Sequence, residues 1–227
     1  MALSQDLEFL DLSLPLYDNC PGIPDVEPPH LRLVSNAAAS GWNLERLDTP
    51  LHWGTHMDSP YHQGLRPTMD EYPPERLHGR AVVVDCLGEA PGVVVGPERL
   101  EAIEPQLGPD AVVLLVGGWW RRRGWSREWV DLAPRLSVEG ARRLAACGVR
   151  GVGVEGFSVG GRSPNNYEIH RELLERGIWI AEGLRLDTEL LPPSRWRVLA
   201  LPILVLHSSG APARVVAIRE APETSRG

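Results

Sequence analysis

Twenty-one prolines and twenty-three glycines are spread along a chain of 227 residues, and this punctuation restricts the fold more than any other feature. Proline cannot continue a helix or a central strand and glycine weakens both, so the regular elements must be short. Pro21, Pro24, Pro28 and Pro29 break any helix between a first strand, at residues 10–14, and the segment 41–47. Residues 81–86 and 111–116 are aliphatic or β-branched runs between turn formers, which predicts strands covered on both faces. Residues 97–103 begin with Pro97 and Glu98 as helices do. Ser137 can cap a helix running to Cys147, with Val138, Ala141, Leu144 and Ala145 at helical spacing. A strand at 151–155, a polar loop, a helix from about 166 to 176 stopped by Gly177, and a return through 178–184 follow. Residues 197–206, broken at Pro202, a turn at 210–212 and a strand at 213–219 complete the pattern. The expectation is one α/β domain over residues 1–227, without internal repeats.

Thirty acidic against twenty-three basic residues leave a formal charge of -7, which argues against a nucleic-acid partner. All the basic residues are arginine, so Schiff-base chemistry and a phosphate-loop lysine are excluded. Cys20, Cys86 and Cys147 are too far apart for a thiolate cluster and too few for a disulfide scaffold, which predicts a reducing compartment. Asp6, Glu8 and Asp11 stand where a secretion signal would carry positive charge and then an apolar run, and no stretch approaches the roughly 20 apolar residues of a spanning helix. A cytoplasmic location without membrane association is expected.

The segment Leu-His-Trp-Gly-Thr-His-Met-Asp-Ser-Pro-Tyr-His, residues 51–62, holds three of the seven histidines, at 52, 56 and 62, with Asp58 between them. A helix would place Asp58 far round from His52, and Gly54 and Pro60 both disfavour it. In an extended chain the even-numbered His52, His56, Asp58 and His62 share one face. A straight strand would hold His52 and Asp58 about 20 Å apart at about 3.3 Å per residue, too far for one ion. The segment must therefore bend, and Gly54 can take the unusual backbone angles. Neutral imidazoles with a carboxylate suit zinc or manganese with a position open to water. Solvated loop histidines are the simpler alternative, but three of them beside an aspartate on one face favour a metal.

Further on, Glu182 shares a strand face with Ile178 and Ile180, while Trp179 and Ala181 point the other way. A carboxylate among buried aliphatics needs a cation, and either Arg185 or a metal could supply it.

The pattern His52-x-Gly54-Thr55-His56-x-Asp58-x-Pro60-x-His62, followed by His170 and Glu182 twelve residues apart, closely resembles the metal-dependent cyclase and kynurenine formamidase family. Asp11-Leu12-Ser13, Gly41-Trp42-Asn43, residues 169–174 and residues 210–214 extend the resemblance along the chain. It implies a swivelling β/β/α domain with a mixed sheet, assembled as a homodimer or homotetramer. It implies that His52, His56 and Asp58 hold a first zinc ion, or manganese, and that Asp58, His170 and Glu182 can hold a second. His62 would be the catalytic acid and base.

The activity so implied is hydrolysis of an aryl formamide such as N-formylkynurenine, a step of tryptophan catabolism. The alternatives are hydrolysis of another cyclic or acyl amide such as isatin, a polyketide cyclase step, or metal binding without catalysis. Two residues depart from the family pattern: Glu155, where aspartate is common, and His207, where a small or polar residue is expected. His207 is either near the site or a strand-end histidine. Trp119, Trp120, Trp125 and Trp129 could line a pocket or an oligomer interface, but core packing is the expectation for most of the eight tryptophans.

Overall fold

Ala111–Val116, expected to be covered on both faces, lies in the middle of an eight-stranded mixed sheet and is buried along its whole length. The computed structural model describes residues 7–23, 25–192 and 195–220, so Asp6, Pro24 and the two ends of the expected domain lie outside it. Its strands are β1 (Leu7–Asp11), β2 (His30–Ser35), β3 (Leu44–Asp48), β4 (His56–Asp58), β5 (His78–Asp85), β6 (Val94–Val95), β7 (Ala111–Val116), β8 (Arg135–Leu136), β9 (Gly151–Gly153), β10 (Trp179–Glu182), β11 (Arg197–Pro202) and β12 (Gly210–Glu220). The α-helices are α1 (Ala37–Ser40), α2 (Pro97–Leu100), α3 (Arg127–Asp131), α4 (Val138–Ala146) and α5 (Asn166–Leu174).

The main sheet has the order β1-β12-β11-β5-β7-β9-β10-β4, and β12 also pairs with β4. That extra pairing closes the sheet into a barrel-like core. The neighbours β5, β7, β9 and β10 run parallel, joined by connections that include α4 and α5, while the remaining pairs are antiparallel. Alternation along β7 sorts its side chains between two cores. Ala111, Val113 and Leu115 pack with Leu144 of α4 and Ile169 and Leu173 of α5. Val112, Leu114 and Val116 pack on the other face with Met57, Trp179 and Val215.

Ser137 caps α4 as its position predicts, its hydroxyl accepting the Gly140 N–H at 2.9 Å. Helix α5 ends at Leu174, two residues before the expected limit, and the chain turns at Gly177 (φ +67°). The first strand lies at Leu7–Asp11 rather than 10–14, because its ladder runs opposite 216–220 of β12, and only a bridge from Ser13 to Leu184 continues it. The expected helix at 97–103 is α-helical only to Leu100 and becomes 3₁₀ through Gln106, where Pro105 disfavours α geometry before it.

Residues 210–212 correct the reading most. They form no turn but open β12, pairing Gly210 with Asp58, Ala211 with Met57 and Pro212 with His56. The reversal falls earlier, near His207 (φ +58°), after β11 has stopped at Pro202. Of the eight tryptophans, Trp53, Trp119, Trp129, Trp179 and Trp196 are buried, as core packing requires. Among the described residues no helix is long and apolar enough to cross a membrane.

Candidate metal centre

Gly54 has φ +66°, in the left-handed region that a side chain would strain, and the chain bends there as its spacing demands. The bend brings His52 back onto Asp58, with Nδ1 2.7 Å from Oδ1, although a straight chain would keep them far apart. Beyond the bend, β4 alternates. Met57 enters the core shared with Trp179, whereas His56 and Asp58 lie opposite Glu182 and Ile180 of β10. Ile180 packs in the core that holds Ile169 of α5, so this face of the sheet is the one α5 covers, and His170 reaches the cluster from that helix.

Four side chains meet there. His56 Nε2 lies 3.3 Å from Glu182 Oε2 and 3.5 Å from Asp58 Oδ1. His170 Nε2 lies 3.3 Å from Glu182 Oε1 and 3.6 Å from Asp58 Oδ2. None of the four residues is more than 3% exposed. Arg185 does not pair with Glu182: its Nε donates to Asp187 at 3.1 Å and its guanidinium lies over Trp120. Glu182 instead accepts the Val159 N–H at 2.7 Å and faces two imidazoles.

Burial alone would lower the two imidazoles, but the bonds to Glu182 and the charge of Asp58 outweigh it for His56, pushed up to about 9. His170, facing the charges of both carboxylates, is pushed up to about 10 against the same burial. Burial would raise Asp58, yet the nearby imidazole of His170 and the bond from His52 hold it well below the usual carboxylate range. Two buried carboxylates therefore require positive charge between them, which imidazole protons or a divalent cation can provide.

The donor set fits a cation. Asp58 Oδ2 is buried without a hydrogen-bond partner, an acceptor-only oxygen in the middle of the cluster. The Nδ1–H of His56 donates to the Gly54 carbonyl at 2.9 Å and that of His170 to the Asn166 carbonyl at 2.8 Å. Both rings thus turn Nε2 toward the carboxylates, the tautomer a metal ligand needs. Ligand atoms of His52, His56 and Asp58 lie within 4.8 Å of one another, and so do those of Asp58, His62 and His170.

His62 comes from the 3₁₀ turn Pro60–Gln63 and stands at the open edge of the cluster. Its ring centroid is 4.2 Å from that of His52 and 5.6 Å from that of His170. Desolvation, reinforced by these imidazoles against the pull of Asp58, holds it below the ordinary histidine range, so it is neutral at pH 7 and can accept a proton. Beside His52 and His56 runs a narrow cleft walled by Ile23, Trp53, Trp129 and Phe157, with Arg123 at its side.

Three residues that spacing could not place are Val159, Ser209 and Gly210. Val159 acts through its backbone. Ser209 Oγ lies 2.8 Å from His52 Nε2, and a Cβ on Gly210 would come within 2.6 Å of the His52 ring. The only local sign was the run Ser208-Ser209-Gly210 ahead of a strand. His207 is exposed, its backbone N–H donating to Asp70 at 2.8 Å.

Glu155 is buried away from the cluster, and its carboxylate accepts the Gly117 N–H at 2.7 Å. Burial pushes it up to about 7 from 4.5, although N–H groups at residues 117–120 oppose the shift. The folded chain therefore holds this proton more tightly than the unfolded one. The stabilisation is full below about pH 4.5 and is lost as pH rises to about 7, a change of at most about 3 kcal/mol. Glu155→Gln should gain stability relative to the parent between pH 5 and pH 8. Urea melts at the two pH values measure this, and parallel profiles would contradict it.

The Cyclase family model matches residues 10–160, a span that contains the whole histidine motif. Kynurenine formamidase from Salinibacter ruber is 31% identical over 191 residues, covering 83% of this chain and 85% of that protein. Kynurenine formamidase from Bacillus cereus is 26% identical over 212 residues, covering 92% and 96%. Isatin hydrolase A from Ralstonia solanacearum has a structure similar to this one, with a TM-score of 0.83, 25% identity, and coverage of 94% of this chain and 92% of that one. With its motif intact and its relatives matched over most of their length, this chain belongs to the cyclase family.

Proposed function

We propose that the chain is a metal-dependent hydrolase of aryl formamides, with N-formylkynurenine as the leading substrate. The observation that carries this reading is the buried cluster of His56, Asp58, His170 and Glu182 with its unpartnered Asp58 oxygen, in a chain whose relatives include kynurenine formamidases. His52, His56 and Asp58 would hold one ion, and Asp58, His170 and Glu182 a second, with zinc favoured by the imidazole-rich set and manganese as the alternative. A divalent ion in such a site supplies Lewis-acid polarisation of a carbonyl and acidifies water to near neutrality.

The protein's own groups account for the rest. Trp129, Phe157 and Ile23 make the wall beside His52 and His56 apolar, but the cleft between them, about 10 Å³, must widen before an aryl ring can enter. His62, neutral and at the open edge, is placed to take a proton from the attacking water and return it to the departing aryl amine. Hydrolysis of a cyclic amide such as isatin needs the same groups, and the structural likeness to isatin hydrolase A favours it as the second reading. Assembly as a homodimer or homotetramer and a cytoplasmic location remain part of this proposal.

The test is a substrate panel of N-formylkynurenine, formanilide and isatin with metal-loaded protein. Turnover of a formamide, abolished by a chelator and restored by added zinc or manganese, is expected. Isatin cleavage alone would select the second reading. No turnover of any of them by fully loaded protein would leave a metal-binding protein of another activity.

A further inference from the structure

The three histidines that face Asp58 are not held alike. His56 and His170 each give their Nδ1 proton to a main-chain carbonyl, at Gly54 and Asn166. A carbonyl only accepts, so those two rings are locked in one tautomer with Nε2 facing inward. His52 is turned the other way round. Its Nδ1 faces Asp58 at 2.7 Å, and its Nε2 meets the hydroxyl of Ser209 at 2.8 Å. A hydroxyl, unlike a carbonyl, can donate or accept.

We infer that Ser209 is the positioning residue that lets His52 exchange tautomers when a metal binds. Without metal, Nδ1–H donates to Asp58 and the Ser209 hydroxyl donates to Nε2. With metal, the proton sits on Nε2 and is given to Ser209 Oγ, which frees the Nδ1 lone pair for the ion beside Asp58. At His52 and Ser209 two hydrogens move: the ring proton passes from Nδ1 to Nε2 by exchange with water, and the hydroxyl hydrogen turns away from Nε2 so that Oγ can accept. The inference rests on the metal-centre reading proposed above.

The surroundings favour this role. Ser59 fixes the Ser209 backbone twice, giving its N–H at 2.9 Å and its hydroxyl at 3.0 Å to the Ser209 carbonyl. The Met69 N–H holds Ser208 next to it at 2.9 Å. The Ser209 side chain is therefore not needed to seat its own strand. Gly210 keeps the space beside the His52 ring clear, because a Cβ there would meet Cε1 at 2.6 Å. Among the described residues, this hydroxyl is the hydrogen-bond partner of His52 Nε2.

Ser209→Ala and Ser209→Thr separate the possibilities, with zinc as the probe. Zinc affinity is measured by competition with a chromophoric chelator, and histidine ring protonation by long-range proton–nitrogen NMR of the zinc-loaded protein. Ser209→Ala should unfold at the parent's midpoint yet bind zinc about 10- to 100-fold more weakly. In the parent one ligand histidine should carry its proton on Nε2 and two on Nδ1, and Ser209→Ala should displace or split the first signal. Ser209→Thr should restore affinity and signal together. Parent-like affinity and ring signals in Ser209→Ala would overturn the inference while leaving the metal centre intact, as would a folded Ser209→Thr that behaves like Ser209→Ala. A parent protein that takes up no zinc or manganese would overturn the metal centre itself and the inference with it.

Discussion

Asp58→Asn is expected to lose both bound metal and hydrolysis, with turnover down by at least about 10³-fold. The side chain keeps its volume, so the packing of β4 between β10 and β12 is not at issue. What disappears is the one carboxylate that faces His52, His56 and His170 together. Both its oxygens are committed to the cluster, and one has no other partner. An amide offers the same sites a neutral oxygen and two N–H donors, which repel a cation and the neighbouring imidazole protons alike. In the metal-free protein the buried imidazoles also lose a counter-charge, and removing one partner from a buried ionic cluster typically costs about 3–5 kcal/mol. Metal analysis, a hydrolysis assay and a urea melt on one preparation test all three effects. A variant with full metal and parental turnover would remove Asp58 from the proposed centre.

His62→Ala should behave in the opposite way toward metal. Its ring stands at the solvent edge, outside the buried set of His56, Asp58, His170 and Glu182, so metal content and folding should match the parent. Turnover should fall by about 10² to 10⁴, the usual contribution of a positioned acid and base. The loss should appear in kcat, because the residue is asked to move a proton and not to hold the substrate. Since its neighbour His52 lies 4.2 Å away and presents another imidazole, added imidazole should recover part of the rate if the missing group is the proton carrier. Loss of metal in this variant would instead make His62 a ligand, a position the grouping of Asp58, His62 and His170 also permits. Unchanged turnover would end its assignment as acid and base.

Local signals were sufficient where neighbours in the chain do the physical work. Ala111–Val116 is aliphatic throughout and became a buried strand without adjustment. Ser137 caps its helix through a bond to a residue three positions on. Gly54 bends because the ligand spacing and its lack of a side chain require it there. Local signals did not decide where a distant segment does. Gly210 and Pro212 carry turn chemistry, yet β4 supplies their pairing and makes them strand. Arg185 lies three residues from Glu182 and bonds elsewhere, because Asp187 and the Trp120 ring are at hand. Glu155 follows a strand toward the site and then turns its carboxylate to the N–H groups at residues 117–120.

The sequence by itself determined the family, the identity of the six ionisable side chains and the need for a bend between His52 and Asp58, since each of these is set by residue type and short-range spacing. Only the tertiary structure decided which nitrogen each imidazole presents and that Arg185 turns to Asp187. It also decided that Ser209, 157 residues from His52, stands at its ring. Those outcomes depend on the register of β4 between β10 and β12 and on α5 lying over them, and register is the sum of many weak contacts between segments that are far apart in the chain.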